Sequence, residues 1–215
     1  SNSLYCSNLR TMRKISWPAL IAATIGPVQS VLGWVIAGAL WPGYDPIRKT
    51  ISDLAADDSP VQAIQTSFFI LGGALSLVAA IYARSLALPG RIVIFLGGLA
   101  TFGFAYFTTP SQDGHSDWHR IFAIISFVLF SVWPLFSMRL DKSYPWMLKP
   151  AGAILATLGF TVISIWFLLT WTDPAATNVG LVERIIATAQ TTYLSAVIWI
   201  CWLHQRKMPS HSDIA

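Results

Sequence analysis

The chain has 215 residues, of which 54% are hydrophobic and only 11% charged, whereas soluble domains carry roughly 25% charged residues. Ten Trp and twelve Phe add to the imbalance, so a soluble globule is excluded and a polytopic membrane protein is implied. The net charge of +4 is too small for a nucleic-acid footprint and reads as charge flanking membrane spans.

Arg10, Arg13 and Lys14 precede an apolar run over 17–41. That run is too long for the apolar core of a cleaved signal, about 7–15 residues, and no small-residue cleavage motif follows it, so it is expected to stay as the first span. Met12 offers a natural start, with an upstream extension before it. Crossing a hydrocarbon core about 30 Å thick takes roughly 20 helical residues. Six windows suffice: 17–41, 60–83, 91–109, 118–138, 150–171 and 181–203. Barrel-type alternation is absent, so the backbone can satisfy itself in lipid only as helix. The predicted fold is an all-α membrane protein of six transmembrane helices. Residues 1–16 and 206–215 are predicted flanks, and 17–205 the membrane domain.

Lys and Arg set the expected orientation. Ten of the fourteen fall in the N-terminal segment, the 84–91 and 139–149 loops and the tail. The other four, Arg48, Lys49, Arg120 and Arg184, fall on the opposite side. That bias predicts both termini in the cytoplasm, in the inner cell membrane. Eight of the ten acidic residues lie on the other, outer side, as do His115 and His119. Insertion does not require this second asymmetry, so it directs attention to the outer face.

The first outer segment, 41–65, is the first long polar break in an otherwise mostly apolar chain. Asp45-Pro46 reads as an N-cap followed by proline at the first helical position. Ile47, Ile51, Leu54 and Ala55 share one face thereafter, which predicts a short amphipathic helix lying in the interface. Ser59-Pro60-Val61-Gln62 reads as a capping box opening span two. Gly97, Thr101 and Ala105 on one face of span three, and Gly72-Gly73 in span two, are signals for close helix approach. Gln29 and Gln190 are amides within apolar runs and are expected to face the bundle interior.

His115 and His119 stand four residues apart, a metal-ligand spacing if helical, which Asp53, Asp113, Asp117 or Glu183 could complete. The alternative for His119 is a polar anchor bonded to the loop that carries Ser52 and Asp53. Glu183-Arg184 opens span six on the same side. Either it clasps loops, with Arg184 on Asp53 or Asp117 and Glu183 on Arg120 or His119, or Arg120 and Arg184 hold an anionic headgroup. Cys6 and Cys201 offer neither a disulfide framework nor a Cys-x-x-Cys metal pair. No serine-hydrolase elbow, phosphate loop, dinucleotide fingerprint or His-Glu-x-x-His is present.

Tyr44-Asp45-Pro46, Ile51-Ser52-Asp53-Leu54, His119 and Gly180-Leu181-Val182-Glu183-Arg184 resemble the prokaryotic membrane family called domain of unknown function nine-nine-eight, over about 17–202. The Ile-Ser-Asp element and single His are also similar, more distantly, to the eukaryotic DRAM-like six-helix proteins, which are linked to lipid organisation and autophagy. The resemblance implies that Asp45, Ser52, Asp53, His119, Glu183 and Arg184 form one outer-face cluster; it implies no activity. The expected function is binding of a lipid or small ligand, or regulation, through that cluster joined by Arg120. Membrane lipids are then the expected partners, with no cofactor. The alternatives are a lipid hydrolase using a divalent metal such as zinc on His115 and His119, with Ser52 or water attacking, and a small-solute transporter, against which the lack of ionisable residues at span centres argues.

Overall fold

The computed structural model describes residues 14–112 and 114–207. Cys6, Arg10, Met12, Arg13, Asp113 and His211 lie outside the described residues. Six helices are long and apolar enough to cross a membrane: α1 (Trp17–Leu40), α3 (Gln62–Tyr82), α4 (Leu88–Tyr106), α5 (Asp117–Phe136), α6 (Pro150–Thr172) and α7 (Val179–Arg206). Between α1 and α3 lies α2, a single turn over Ile51–Leu54. The prediction of six spans holds, with differences at the ends. Span three starts at Leu88 because proline sits in its first turn, a position that suits its fixed φ and missing N–H. Helix α7 runs 28 residues to Arg206, past the apolar window, and its polar last turn reaches other loops at that end.

The first loop differs more. Asp45 Oδ1 accepts from the N–H groups of Ile47 and Arg48, at 2.9 and 3.4 Å, but caps only a turn. Thr50 starts the helix, through a reciprocal capping box with Asp53. Ile51, Leu54 and Ala55 are buried against the bundle, so the apolar face of α2 meets helices where an interfacial helix would meet acyl chains. Ser59 does not cap α3. Its hydroxyl donates to Leu54 O at 2.7 Å and accepts from Val61 N at 3.2 Å, closing a turn below α2.

The six spans form a ring in chain order, α1–α3–α4–α5–α6–α7, closed by α7 packing back on α1. Small residues set the spacing. A Cβ on Gly73 would lie 3.1 Å from Gly98 O, and one on Gly98 would lie 3.0 Å from Gly73 O, so α3 and α4 meet backbone to backbone. On the other face of α4, Phe130 packs over Gly97, and Thr101 Oγ1 lies 3.2 Å from Ser126 Oγ of α5.

Pro27 interrupts α1. It has no N–H for the carbonyl four residues back, Ala23 O, and a bare carbonyl in hydrocarbon is costly. Ser195 of α7 supplies the missing donor, its hydroxyl 2.5 Å from Ala23 O. The ring therefore closes at the break in its first helix. Ile15, Ala83, Ser85 and Gln205 meet at one end of the bundle, and α2 lies at the other. Ser195→Ala is expected to lower stability by about 1 kcal/mol, read as a lower thermal midpoint in detergent, with Ser195→Thr close to the parent.

Candidate functional site

Four elements converge at the end of the bundle opposite Ile15 and Gln205: the 44–50 turn, α2, and the first turns of α5 and α7. Arg184 of α7 joins the first to the last. Its Nη1 donates to Pro46 O, Lys49 O and Gly180 O at 2.8, 2.9 and 2.9 Å. Nη2 donates to the Tyr44 hydroxyl at 2.6 Å. Trp34 and Tyr44 cover the guanidinium, their ring centroids 5.1 and 5.7 Å from its carbon. The Tyr44 hydroxyl donates onward to Thr50 O at 2.6 Å. Burial pushes its pKa up, and the Arg184 charge offsets only part of that.

Arg184 is thus the buried clasp of the turn. Its hydrogen bonds go to backbone carbonyls and a phenol, where a carboxylate, Asp53 or Asp117, was expected. The approach is close because residue 180 is glycine: a Cβ there would stand 2.0 Å from Lys49 O. Leu181 N adds a 3.0 Å bond to Ile47 O.

Glu183, the neighbour of the clasp, is 5% exposed and accepts from the Ile51 N–H. That bond ties the start of α2 to α7. One residue on, Ser52 Oγ lies 3.0 Å from Nε2 of His119. His119 is 4% exposed and its Nδ1 lies 3.0 Å from both Phe104 O and Phe107 O. Two carbonyls facing Nδ1 require the proton there, so the neutral ring keeps its lone pair on Nε2 and Ser52 donates to it. A hydroxyl is hydrogen-bonded to a base, and the base is oriented on its far side.

Ser52, Asp53, His119, Glu183 and Arg184 are gathered at this end; Arg120 and His115 line a cleft beside them, and Asp45 lies in the adjoining turn. Asp45 is turned to its own loop and pairs with Arg48 at 3.5 Å. Arg120 is exposed and stacks over Trp171, 4.9 Å from the ring centroid. His115 is exposed, with Asp117 3.9 Å away. Both His119 nitrogens are taken up by Ser52 and the two carbonyls, and no group of three His, Cys, Asp or Glu suited to a metal occurs among the described residues. Tyr44, Thr50 and Gln65 join the site without having been expected there. The Thr50-x-x-Asp53 spacing carries a capping signal, and Gln65 is an amide at the start of an apolar run, as legible as Gln29.

Two cavities meet at the pair. One, of about 150 Å³, runs down the ring axis between α1, α3, α4, α5 and α7. Gln29 and Gln65 line it, and the side-chain oxygen of each has no protein partner. The other, of about 530 Å³, is a cleft between the first loop, α5, α6 and α7. Arg48, Lys49 and Arg120 stand on its rim, and Ile124, Val128 and Leu168 belong to its apolar wall. Ser52, Ala123, Phe127 and Glu183 line both spaces.

Replacing Arg184 by Ala leaves three carbonyls and a phenol without their donor. A loss of about 3 kcal/mol or more is expected, seen as a lower thermal midpoint and faster proteolysis within 44–60. Arg184→Lys is expected to recover only part, since a point charge cannot serve the fork of acceptors.

Neither the curated proteins nor the solved structures contain a match to this chain. One family does match, over residues 24–200 and so across the ring from α1 to the last turns of α7. The chain belongs to the family described as protein of unknown function, DUF998.

Proposed function

We propose that the protein binds an anionic membrane amphiphile, a phospholipid, in the cleft between α5, α6 and α7, with the headgroup at the rim. The carrying observation is the chemistry of that cleft. Arg48, Lys49 and Arg120 stand over a wall that includes Ile124, Val128, Phe167 and Leu168. A cationic rim above an apolar wall matches a molecule with a charged head and a hydrocarbon tail, and not a small polar solute. The volume of about 530 Å³ is within the usual range for a ligand site, about 300–1,000 Å³.

Two carboxylates share the cleft and are held on backbone donors, Asp53 by Thr50 N and Glu183 by Ile51 N. Lys49 donates to the neutral Gln112 side chain, and Arg120 rests on the Trp171 ring. Both cations therefore keep their charge for a ligand. The loop charges argue that this end lies in the outer leaflet of the cell membrane.

Arg184, weighed from sequence as a loop clasp or a headgroup contact, is engaged at both Nη groups in the clasp. A Lys49→Ala/Arg120→Ala double variant is expected to fold as the parent does and to lose bound phosphatidylglycerol. Native mass spectrometry of protein from phosphatidylglycerol–phosphatidylcholine nanodiscs reads this directly. Parent protein retaining phosphatidylglycerol at least about tenfold over phosphatidylcholine supports the reading. Equal retention of the two lipids, or equal retention by parent and double variant, sinks it. Free glycerol phosphate serves as the second arm: competition by it alone would show a soluble phosphate ligand in place of a lipid.

A further inference from the structure

Ser52 is the only hydroxyl among the four residues that line both the axial cavity and the cleft. It is half-buried and lines the cleft, as does its buried partner His119. Three features of the pair exceed what fastening a loop requires. The donor–acceptor distance of 3.0 Å suits proton transfer. The carbonyls of Phe104 and Phe107, both 3.0 Å from Nδ1, hold the tautomer that leaves Nε2 basic. The backbone of α2 on either side of Ser52 is fixed, by Glu183 on Ile51 N and by the Thr50–Asp53 capping box. The loop is already fastened by Arg184 without the histidine.

We infer that Ser52 is a nucleophile and His119 its general base, and that the pair cleaves a carboxylic ester of the amphiphile held in the cleft. The inference rests on the proposed lipid site, and the layout of that site names the bond. Glycerolipid esters lie between headgroup and chain, and Ser52 lines the same cleft as the cationic rim and the apolar wall. In the first step Ser52 Oγ bonds to the ester carbonyl carbon and its proton passes to His119 Nε2. The tetrahedral intermediate collapses, the carbon–oxygen ester bond breaks, and the alcohol leaves with the proton from His119. Water then bonds to the acyl carbon and gives a proton to His119; the bond from that carbon to Ser52 Oγ breaks, His119 returns the proton to Oγ, and the carboxylic acid leaves. Phe104 and Phe107 orient the imidazolium through their carbonyls, where the better-known triads use a carboxylate.

Glu183 acts as a positioning residue. Its carboxylate holds Ile51 N and also interacts with the Ser52 side chain. It thereby competes with His119 for the Ser52 hydroxyl. Gln at this position keeps an oxygen for Ile51 N and is the weaker acceptor for that hydroxyl.

The test is covalent capture of the full-length protein in detergent by a long-chain alkyl fluorophosphonate. Oγ bonds to phosphorus, fluoride leaves, and His119 takes the proton. One adduct per chain, mapped to Ser52 by peptide mass spectrometry, is expected. Ser52→Ala is expected to show none, His119→Gln labelling at least about 100-fold slower, and Glu183→Gln labelling as fast as the parent or faster. No adduct on Ser52 in a parent that retains phosphatidylglycerol overturns the inference and leaves the binding reading intact. An adduct without lipid retention sinks the binding reading and, with it, the lipid-ester assignment. Labelling that survives His119→Gln and is lost in Glu183→Gln overturns the assignment of the base. Because buried His119→Gln can misfold, its thermal midpoint is measured alongside. If that midpoint falls, the smaller change Ser52→Ala decides between labelling at Ser52 and labelling elsewhere.

Discussion

One guanidinium holds the functional end of this protein together. Arg184 sits where aqueous screening is weak, and there an uncompensated charge is far more costly than a loop conformation. Three carbonyls, a phenol and two aromatic faces collect around it. That demand dictates the path of residues 44–50. The path in turn sets where α2 begins, and the start of α2 puts the Ser52 side chain against His119. A charge usually read as a ligand contact here sets the shape of the cluster around it.

The same economy governs the spans. Helices in hydrocarbon satisfy their own backbones except where a side chain or proline interferes, and neighbouring spans answer those exceptions. Ser195 answers the break at Pro27. Gln190 donates to Phe127 O and Ser131 Oγ, both at 2.9 Å, and so joins α7 to α5 where the two helices otherwise make few contacts. Gln29 and Gln65 differ, because their amide oxygens face the axial cavity without a protein donor in reach. A space of about 150 Å³ has room for several waters, so the core of the ring is built to stay polar in part.

Much of this is legible in the sequence. Span number follows from hydrocarbon thickness, and the small-residue faces of α3 and α4 follow from how lipid-embedded helices pack. The burial of Gln29 and Gln190 follows from the cost of an amide in oil. The first loop is harder to read because two start signals compete there, Asp45-Pro46 and Thr50-x-x-Asp53. Local chemistry allows either; Glu183 and Arg184, more than 130 positions away, select the second. Long-range hydrogen bonds leave no local pattern, so the turn at 46–49 and the carbonyl partners of Arg184 cannot be read from spacing, although a clasp of loops by Glu183-Arg184 is one of the two readings the sequence offers. His115 and His119 show the converse: a spacing that suggests a shared ligand separates into one exposed ring and one buried ring.

Spatial order equals chain order around this ring, and α7 is the span that completes it. Chains enter the bilayer from the N-terminus onward, so the last helix to arrive brings the donor for the proline-broken first helix, the amide for α5 and the arginine for the loop. Until then Ala23 O, Pro46 O and Lys49 O lack the partners seen here. Assembly of the end that carries α2 therefore waits on the insertion of α7, after the five other spans described here are in place.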